Sequence, residues 1–273
     1  MTEASHPTTL AGKRVLVTRP AHQSAEQIAQ LKQLGVDVVT LPVLEIKPFS
    51  PPATEYHLAK SRILDLDLYQ HVIFISANAA RIGAELIDDY WPQLPIKVCW
   101  LAIGKKTAAT LANYGIDAES STLGYDSEAL LESSALQDVS DSRILIIRGQ
   151  GGREKLAETL RERGAQVEYA DLYQRVRPVY NDAQIEETLY QQRPDALLVT
   201  SSEGLNNLLL LAHGNQRQYD PSTLFSCQLV VPSERVAQQA QLAGFKRITT
   251  AAGADDLAMI TALLPATDAE SDK

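Results

Sequence analysis

The sequence predicts an α/β protein built from two similar lobes, each around a parallel sheet. Three observations predict it. First, the chain repeats itself. Val15-Leu16-Val17-Thr18-Arg19 returns as Ile144-Leu145-Ile146-Ile147-Arg148, a shift of 129 residues. The same shift lays Leu31 on Leu160, Gly35 on Gly164, Val38 on Val167, Ala108 on Ala237, Gly115 on Gly244 and Gly124 on Gly253. Val72–Ser76 and Ala196–Ser201 also match, once a four-residue gap in one loop is allowed. Second, the strand candidates are continuous apolar runs, as in strands covered on both faces. Third, strands and helices alternate, an order that calls for a parallel sheet. Two copies are too few for a solenoid. Ligands of two-lobed molecules favour the place where the lobes face each other.

In the first half, Val15–Thr18 is a strand, and Pro20 suits the first position of a helix. Ala25, Ile28 and Leu31 give that helix an apolar stripe, and Gly35 ends it. Val36–Leu41 is the next strand. Val72–Ile75 and Val98–Ala102 are strands, each followed by a helix, Ala77–Ile87 and Lys105–Asn113; Ser127–Ser133 is a final helix. The second half repeats the pattern. Its strands are Ile144–Ile147, Val167–Ala170, Ala196–Val199 and Leu229–Val231, and its helices are Arg153–Arg163, Gly204–Ala212, Glu234–Ala243 and Asp255–Leu264.

Two segments stand outside this rhythm. Leu44–Pro48 and Leu172–Pro178 alternate apolar with polar residues and stop at proline, the pattern of exposed extended strands. Pro48-Phe49-Ser50-Pro51-Pro52 reads as a linker. If both segments run between lobes, the chain crosses over twice. The alternative is two sequential domains divided near residue 140.

Composition excludes several classes. At 273 residues and 45% apolar, each half can bury a core. Aromatics at 6% argue against base-stacking platforms, and a net charge of −9 is opposite in sign to that of a general nucleic-acid binder. No apolar run approaches the roughly 20 residues of a membrane span, and Met1–Pro7 lacks the apolar stretch of a signal peptide. The expectation is a cytoplasmic monomer with no nucleic-acid or membrane partner. Cys99 and Cys227 begin corresponding strands and are expected as free, buried, reduced thiols. The five histidines are scattered without ligand spacing, so no metal is expected.

Polar residues gather just after strand ends. The set is Arg19; Ser76 and Asn78; Gly104 and Thr107; Arg148, Gly149 and Arg153; Ser201 and Ser202; and Ser233. Ligands of open parallel sheets bind at this edge, and the helix starts there favour anions. Several converging starts suggest a ligand with several negative groups. Serine and asparagine are also ordinary N-caps, but caps do not explain Arg19, Arg148 and Arg153. The glycines of 149–152 do not follow G-x-G-x-x-G, and Gly104-Lys105-Lys106-Thr107 lacks the upstream P-loop glycine, so nucleoside triphosphates are not expected. No nucleophile elbow is present.

Four segments, taken in order, resemble the uroporphyrinogen-III synthase family. They are Thr18-Arg19-Pro20; Phe74-Ile75-Ser76-Ala77-Asn78-Ala79; Ala102-Ile103-Gly104 followed by Thr107; and Gly164-Ala165-x-Val167 leading to Leu172-Tyr173-Gln174. The resemblance spans about residues 12 to 265. It implies two α/β lobes joined by a two-stranded β-ladder, which favours the crossover arrangement. Domain 1 would be residues 1–43 plus 178–273, domain 2 residues 48–171, and the linker strands 44–47 and 172–177. It implies the substrate hydroxymethylbilane, a linear tetrapyrrole carrying acetates and propionates. The product would be uroporphyrinogen III, closed with inversion of ring D and loss of water, with neither metal nor organic cofactor. Tyr173 matches the family's proposed general acid, and Thr107 a substrate-contacting threonine. Ser76, Asn78, Gly104, Ser201 and Ser202 match ligand-facing loops. Some members carry arginine where Asn78 stands, and Glu203 sets an anion beside the expected polyanion site. The competing expectation is a non-enzymatic bilobed anion-binding protein.

Overall fold

The computed structural model describes residues 10–121, 127–152, 154–213 and 222–264. Strand β1 (Arg14–Val17) leads into α1 (Ala21–Gln33), then β2 (Asp37–Thr40) and β3 (Glu45–Pro48). Helix α2 (Thr54–Leu64) precedes β4 (His71–Phe74), α3 (Ala77–Asp88), β5 (Cys99–Ala102), α4 (Lys105–Ala112), β6 (Glu119–Ser120) and α5 (Ser127–Leu131). Next come β7 (Arg143–Gly149), α6 (Lys155–Glu162) and the long β8 (Gln166–Val176). Helix α7 (Asp182–Ile185) runs into a π-helical segment, Glu186–Gln191. The chain ends in β9 (Ala196–Leu198), α8 (Ser202–His213), α9 (Ser222–Ser226), β10 (Gln228–Val231), α10 (Glu234–Leu242), β11 (Arg247–Thr250) and α11 (Asp256–Thr261).

These elements form two compact units. Unit 1 takes residues up to Glu45 together with those from Val176 onward, and unit 2 is Ile46–Arg175. The sheet of unit 1 has the order β11-β10-β9-β1-β2, with all its pairs parallel. The second sheet has the order β3-β8-β7-β4-β5-β6 and is parallel from β8 to β6. At its edge β3 lies beside β8, and the Phe49 N–H donates to the Leu172 carbonyl at 2.9 Å.

The central strands of each sheet are buried on both faces because their inner positions are apolar without alternation. In β1, Leu16 joins the core on one face while Val15 and Val17 join the core on the other. In unit 2, Phe74, Leu145 and Ile147 face α3 and Tyr69, whereas Ile73, Ile144 and Ile146 face Leu130, Leu156 and Leu160. Burying each such side chain contributes roughly 1.5–3 kcal/mol. Gly35 takes the left-handed conformation, φ +75°, just beyond α1, as a helix stop requires.

Several expectations need correction. Helix α2 follows the proline-rich stretch expected to be only a linker. It buries just Ala59 and Ile63, too few apolar positions to mark a helix. Helix α7 is an element beyond those expected, and Asn181 and Gln184 form a full capping box at its start. The second-half helix expected to start at Arg153 starts at Lys155. The strand expected to be exposed after residue 171 is continuous with its predecessor, and Leu172 and Tyr173 are buried at 4% and 1% exposure. The thiols of Cys99 and Cys227 are free but only partly buried, and burial pushes both upward in pKa.

Candidate active site

In unit 2 the polar residues of interest lie past the carboxyl ends of β4 and β5, at the end of β7 and within β8. Ser76 has extended backbone and caps α3, its Oγ accepting the Ala79 N–H at 3.0 Å. The Ser76 Oγ also lies 3.1 Å from the Tyr173 hydroxyl. Asn78 sits half-buried in the first turn of the same helix. Gly104 holds the equivalent cap position before α4, and its carbonyl accepts the Thr107 N–H at 3.0 Å. Thr107 is buried.

Gly149 ends β7 opposite Tyr173, just past an irregularity in the β7–β8 register between Arg148 and Gly149. A Cβ at Gly149 would stand 2.5 Å from both Cε2 and Cζ of Tyr173 and 3.0 Å from its hydroxyl. The Gln150 N–H donates to the Tyr173 carbonyl at 2.7 Å. Tyr173, Ser76 and Gly149 are therefore brought together.

Arg148 was expected to be a ligand cation, and it is already partnered. Its Nε donates to Asp171 Oδ1 at 2.8 Å and its Nη1 to Glu154 Oε1 at 3.0 Å. The guanidinium lies over the Tyr169 ring, 3.5 Å from the centroid. Burial disfavours the charged guanidinium, but the hydrogen bonds to Glu154 and Asp171 outweigh it and raise its pKa. The hydrogen bonds from Tyr169 and Arg148 hold Glu154 below the usual carboxylate range. Arg148 and Asp171 are opposite one another across β7 and β8, a pairing no single stretch of sequence displays. Arg19, the repeat counterpart of Arg148, is likewise partnered: its Nη1 pairs with Asp256 at the start of α11. Its Nε is buried without a partner. Arg153 lies outside the described residues.

Among the other strand ends of unit 1, the one after β9 repeats the capping geometry. Ser201 Oγ accepts the Gly204 N–H at 2.9 Å at the start of α8. Ser202 Oγ is buried without a partner. Ser233 has extended backbone before α10, and its side chain makes no capping bond. Glu203 is exposed.

A groove elsewhere on unit 2 is lined by Phe49, Tyr56, Ile82, Leu86 and Leu172 with Glu85, Asp89 and Asp171. None of the strand-end residues above lines it, and its carboxylates oppose an anionic ligand. Among the described residues no helix is long and apolar enough to cross a membrane, and no three His, Cys, Asp or Glu residues are grouped to hold a metal ion.

Fold and strand ends define the class: a parallel α/β protein of two units, with hydroxyl groups and helix N-termini at the carboxyl edges of its sheets. The family described as uroporphyrinogen-III synthase HemD matches residues 25–261. The uroporphyrinogen-III synthase of Salmonella typhimurium is 34% identical over 254 residues, covering 91% of this chain and 99% of that one. That of Escherichia coli K12 is 33% identical over 255 residues, with the same coverage. The chain belongs to the uroporphyrinogen-III synthase family. Solved structures agree on the fold. The Helicobacter pylori enzyme superposes with a TM-score of 0.55 at 15% identity, covering 92% of this chain and 98% of that one. A mutant of the Thermus thermophilus enzyme gives 0.53 at 18% identity, covering 87% and 91%.

Proposed function

We propose that this protein cyclises hydroxymethylbilane to uroporphyrinogen III, inverting ring D and releasing water. The observation that carries this is the family match over residues 25–261, joined to the placement of Tyr173. Its hydroxyl sits at the sheet edge, 3.1 Å from Ser76.

Tyr173 is assigned as the proton donor. Its proton goes to the terminal hydroxyl as the C–O bond breaks, and water leaves a delocalised azafulvene cation. The carbon skeleton closes through a spiro intermediate and then loses a proton from carbon, which restores the balance. Most of the acceleration is then orientation of the two chain ends. Thr107, Asn78 and Gly104 in unit 2, and Ser201, Ser202 and Ser233 in unit 1, are assigned to the substrate's carboxylates and pyrroles. Helix starts suit anions because their free N–H groups and dipoles point outward. Arg19 and Arg148 are assigned to holding strand ends, because each already has carboxylate partners.

We further infer that the units are duplicates. Reading β11-β10-β9-β1-β2 beside β6-β5-β4-β7-β8 sets β1 with β7 and β9 with β4, the same pairs that the sequence repeat matches. The β3 and β8 segments are assigned as the linker strands.

The test is to supply hydroxymethylbilane and score the type-III against the type-I porphyrinogen. Predominant type III at enzyme-limited rate supports the assignment. The type-I product at the spontaneous rate would leave only an anion-binding protein.

A further inference from the structure

We propose that Ser76 and Gly149 are positioning residues for the Tyr173 hydroxyl, Gly149 by leaving open the slot its ring occupies and Ser76 by hydrogen-bonding its oxygen. This rests on the assignment of Tyr173 as proton donor. The sheet order sets β7 between β8, which carries Tyr173, and β4, which leads to Ser76. Neighbouring strands lie about 4.8 Å apart, so the ring must cross the end of β7 to reach Ser76. Any side chain on that end would block it. Gly149 stands there, and even a methyl group would be 2.5 Å from the ring. Tyr173 is buried, at 1% exposure. Gly149 has no positive φ to explain the glycine, so the close approach of the ring is the reason.

Ser76 supplies the other half. A serine hydroxyl has one proton and two lone pairs. One lone pair takes the Ala79 N–H, leaving the proton and the second lone pair for the phenol. While Tyr173 holds its proton, Ser76 can accept from it. Once the proton has gone to the leaving hydroxyl, the Ser76 O–H turns to donate to the phenol oxygen. Behind it stands the Ala79 amide at the start of α3, where negative charge is favoured. The repeat isolates this arrangement. Its 129-residue shift lays Gly149 on Pro20 and Tyr173 on Leu44, whereas the capping serine recurs as Ser201. The cap is common to both halves; the slot and the phenol belong to one.

The experiment measures kcat and KM for hydroxymethylbilane in Ser76→Ala, Tyr173→Phe and the double variant, with thermal unfolding as the control for the lost cap. Ser76→Ala is expected to lower kcat about 3- to 10-fold, the range of one hydrogen bond, with KM little changed. The double variant is expected to be no slower than Tyr173→Phe alone, and Ser76→Thr to keep most of the turnover. Multiplying effects, or undiminished turnover in Ser76→Ala, would overturn the positioning role while leaving Tyr173 its own. Wild-type turnover in Tyr173→Phe would remove both. Gly149→Ala is expected to lose turnover and stability together. The same change in a Tyr173→Ala background is expected to cause little further loss of stability. A Gly149→Ala protein as stable and active as wild type would refute the slot.

Discussion

Replacing Tyr173 with Phe keeps the buried ring and removes only the oxygen that meets Ser76. A positioned acid typically supplies about 10²–10⁴-fold, and a leaving group that departs readily in water needs the lower end of that range. Tyr173→Phe is therefore expected to slow turnover by at most roughly 100-fold, with folding and the type-III preference intact. Turnover, product ratio and thermal unfolding, measured together, check this. Unchanged turnover would leave Tyr173 a structural aromatic. Arg148 leads to a different expectation. Its guanidinium is buried between Asp171, Glu154 and the Tyr169 ring. Arg148→Met keeps the apolar stem and strands the two carboxylates. The expected result is a loss of about 1–3 kcal/mol of stability with KM nearly unchanged. A raised KM at an unaltered unfolding temperature would show that Arg148 meets the substrate. The sequence marked Arg19 and Arg148 correctly as strand-end residues, but their partners were illegible. Asp256 lies 237 positions from Arg19, and the Arg148–Asp171 pair exists only through strand register. The Tyr173–Ser76 contact was hidden for the same reason, since it joins residues 97 positions apart.

At the level of the element, the foot of β4 carries a pH dependence. Burial lowers the pKa of His71, opposed by a hydrogen bond with the Ala135 backbone. The folded chain thus prefers neutral His71, and the unfolded chain binds the proton first, near the ordinary value of about 6.5. The resulting contribution to stability is whole above that pH and is lost as pH falls below it toward the folded-state value. Unfolding temperature is expected to decline between about pH 6.5 and 5, and His71→Gln to flatten that decline. An identical slope in the variant would clear His71 of the effect. The strands themselves were the most legible elements, because runs such as Val15–Val17 and Ile144–Ile147 are apolar on both faces. Helices with a thin buried face were not: α2 contributes two residues to the core and α7 one.

For the whole molecule, the two units differ in how the chain supplies them. Unit 2 is one continuous segment with its own cores, whereas unit 1 needs both ends of the chain. A fragment spanning residues 46–175 is expected to unfold cooperatively by itself, and a fragment ending at residue 45 to stay unfolded; circular dichroism during heating checks both. A non-cooperative 46–175 fragment would show that its fold depends on the rest of the chain. Dialysis against a strong chelator is expected to leave turnover unchanged, since the described His, Cys, Asp and Glu residues form no group of three. Proportional loss restored by one added metal would overturn this.

The split also sets an order of events during translation. Strand β1 has β2 on one side and β9 on the other. Synthesis runs at roughly 5–20 residues per second, so β1 waits on the order of ten to thirty seconds for β9 to leave the ribosome. Throughout that interval Val15, Leu16 and Val17 present an apolar edge with an empty place beside it, while unit 2 is completed downstream. Unpaired edges of this kind invite the wrong strand. Nascent chains stalled with residue 175 just emerged are expected to lose the first 45 residues to protease while 46–175 resists. Protection of both segments would mean that β1 finds shelter before its partner is made. Strands β1 and β2 are thus made well before β9 and are safe only once it arrives.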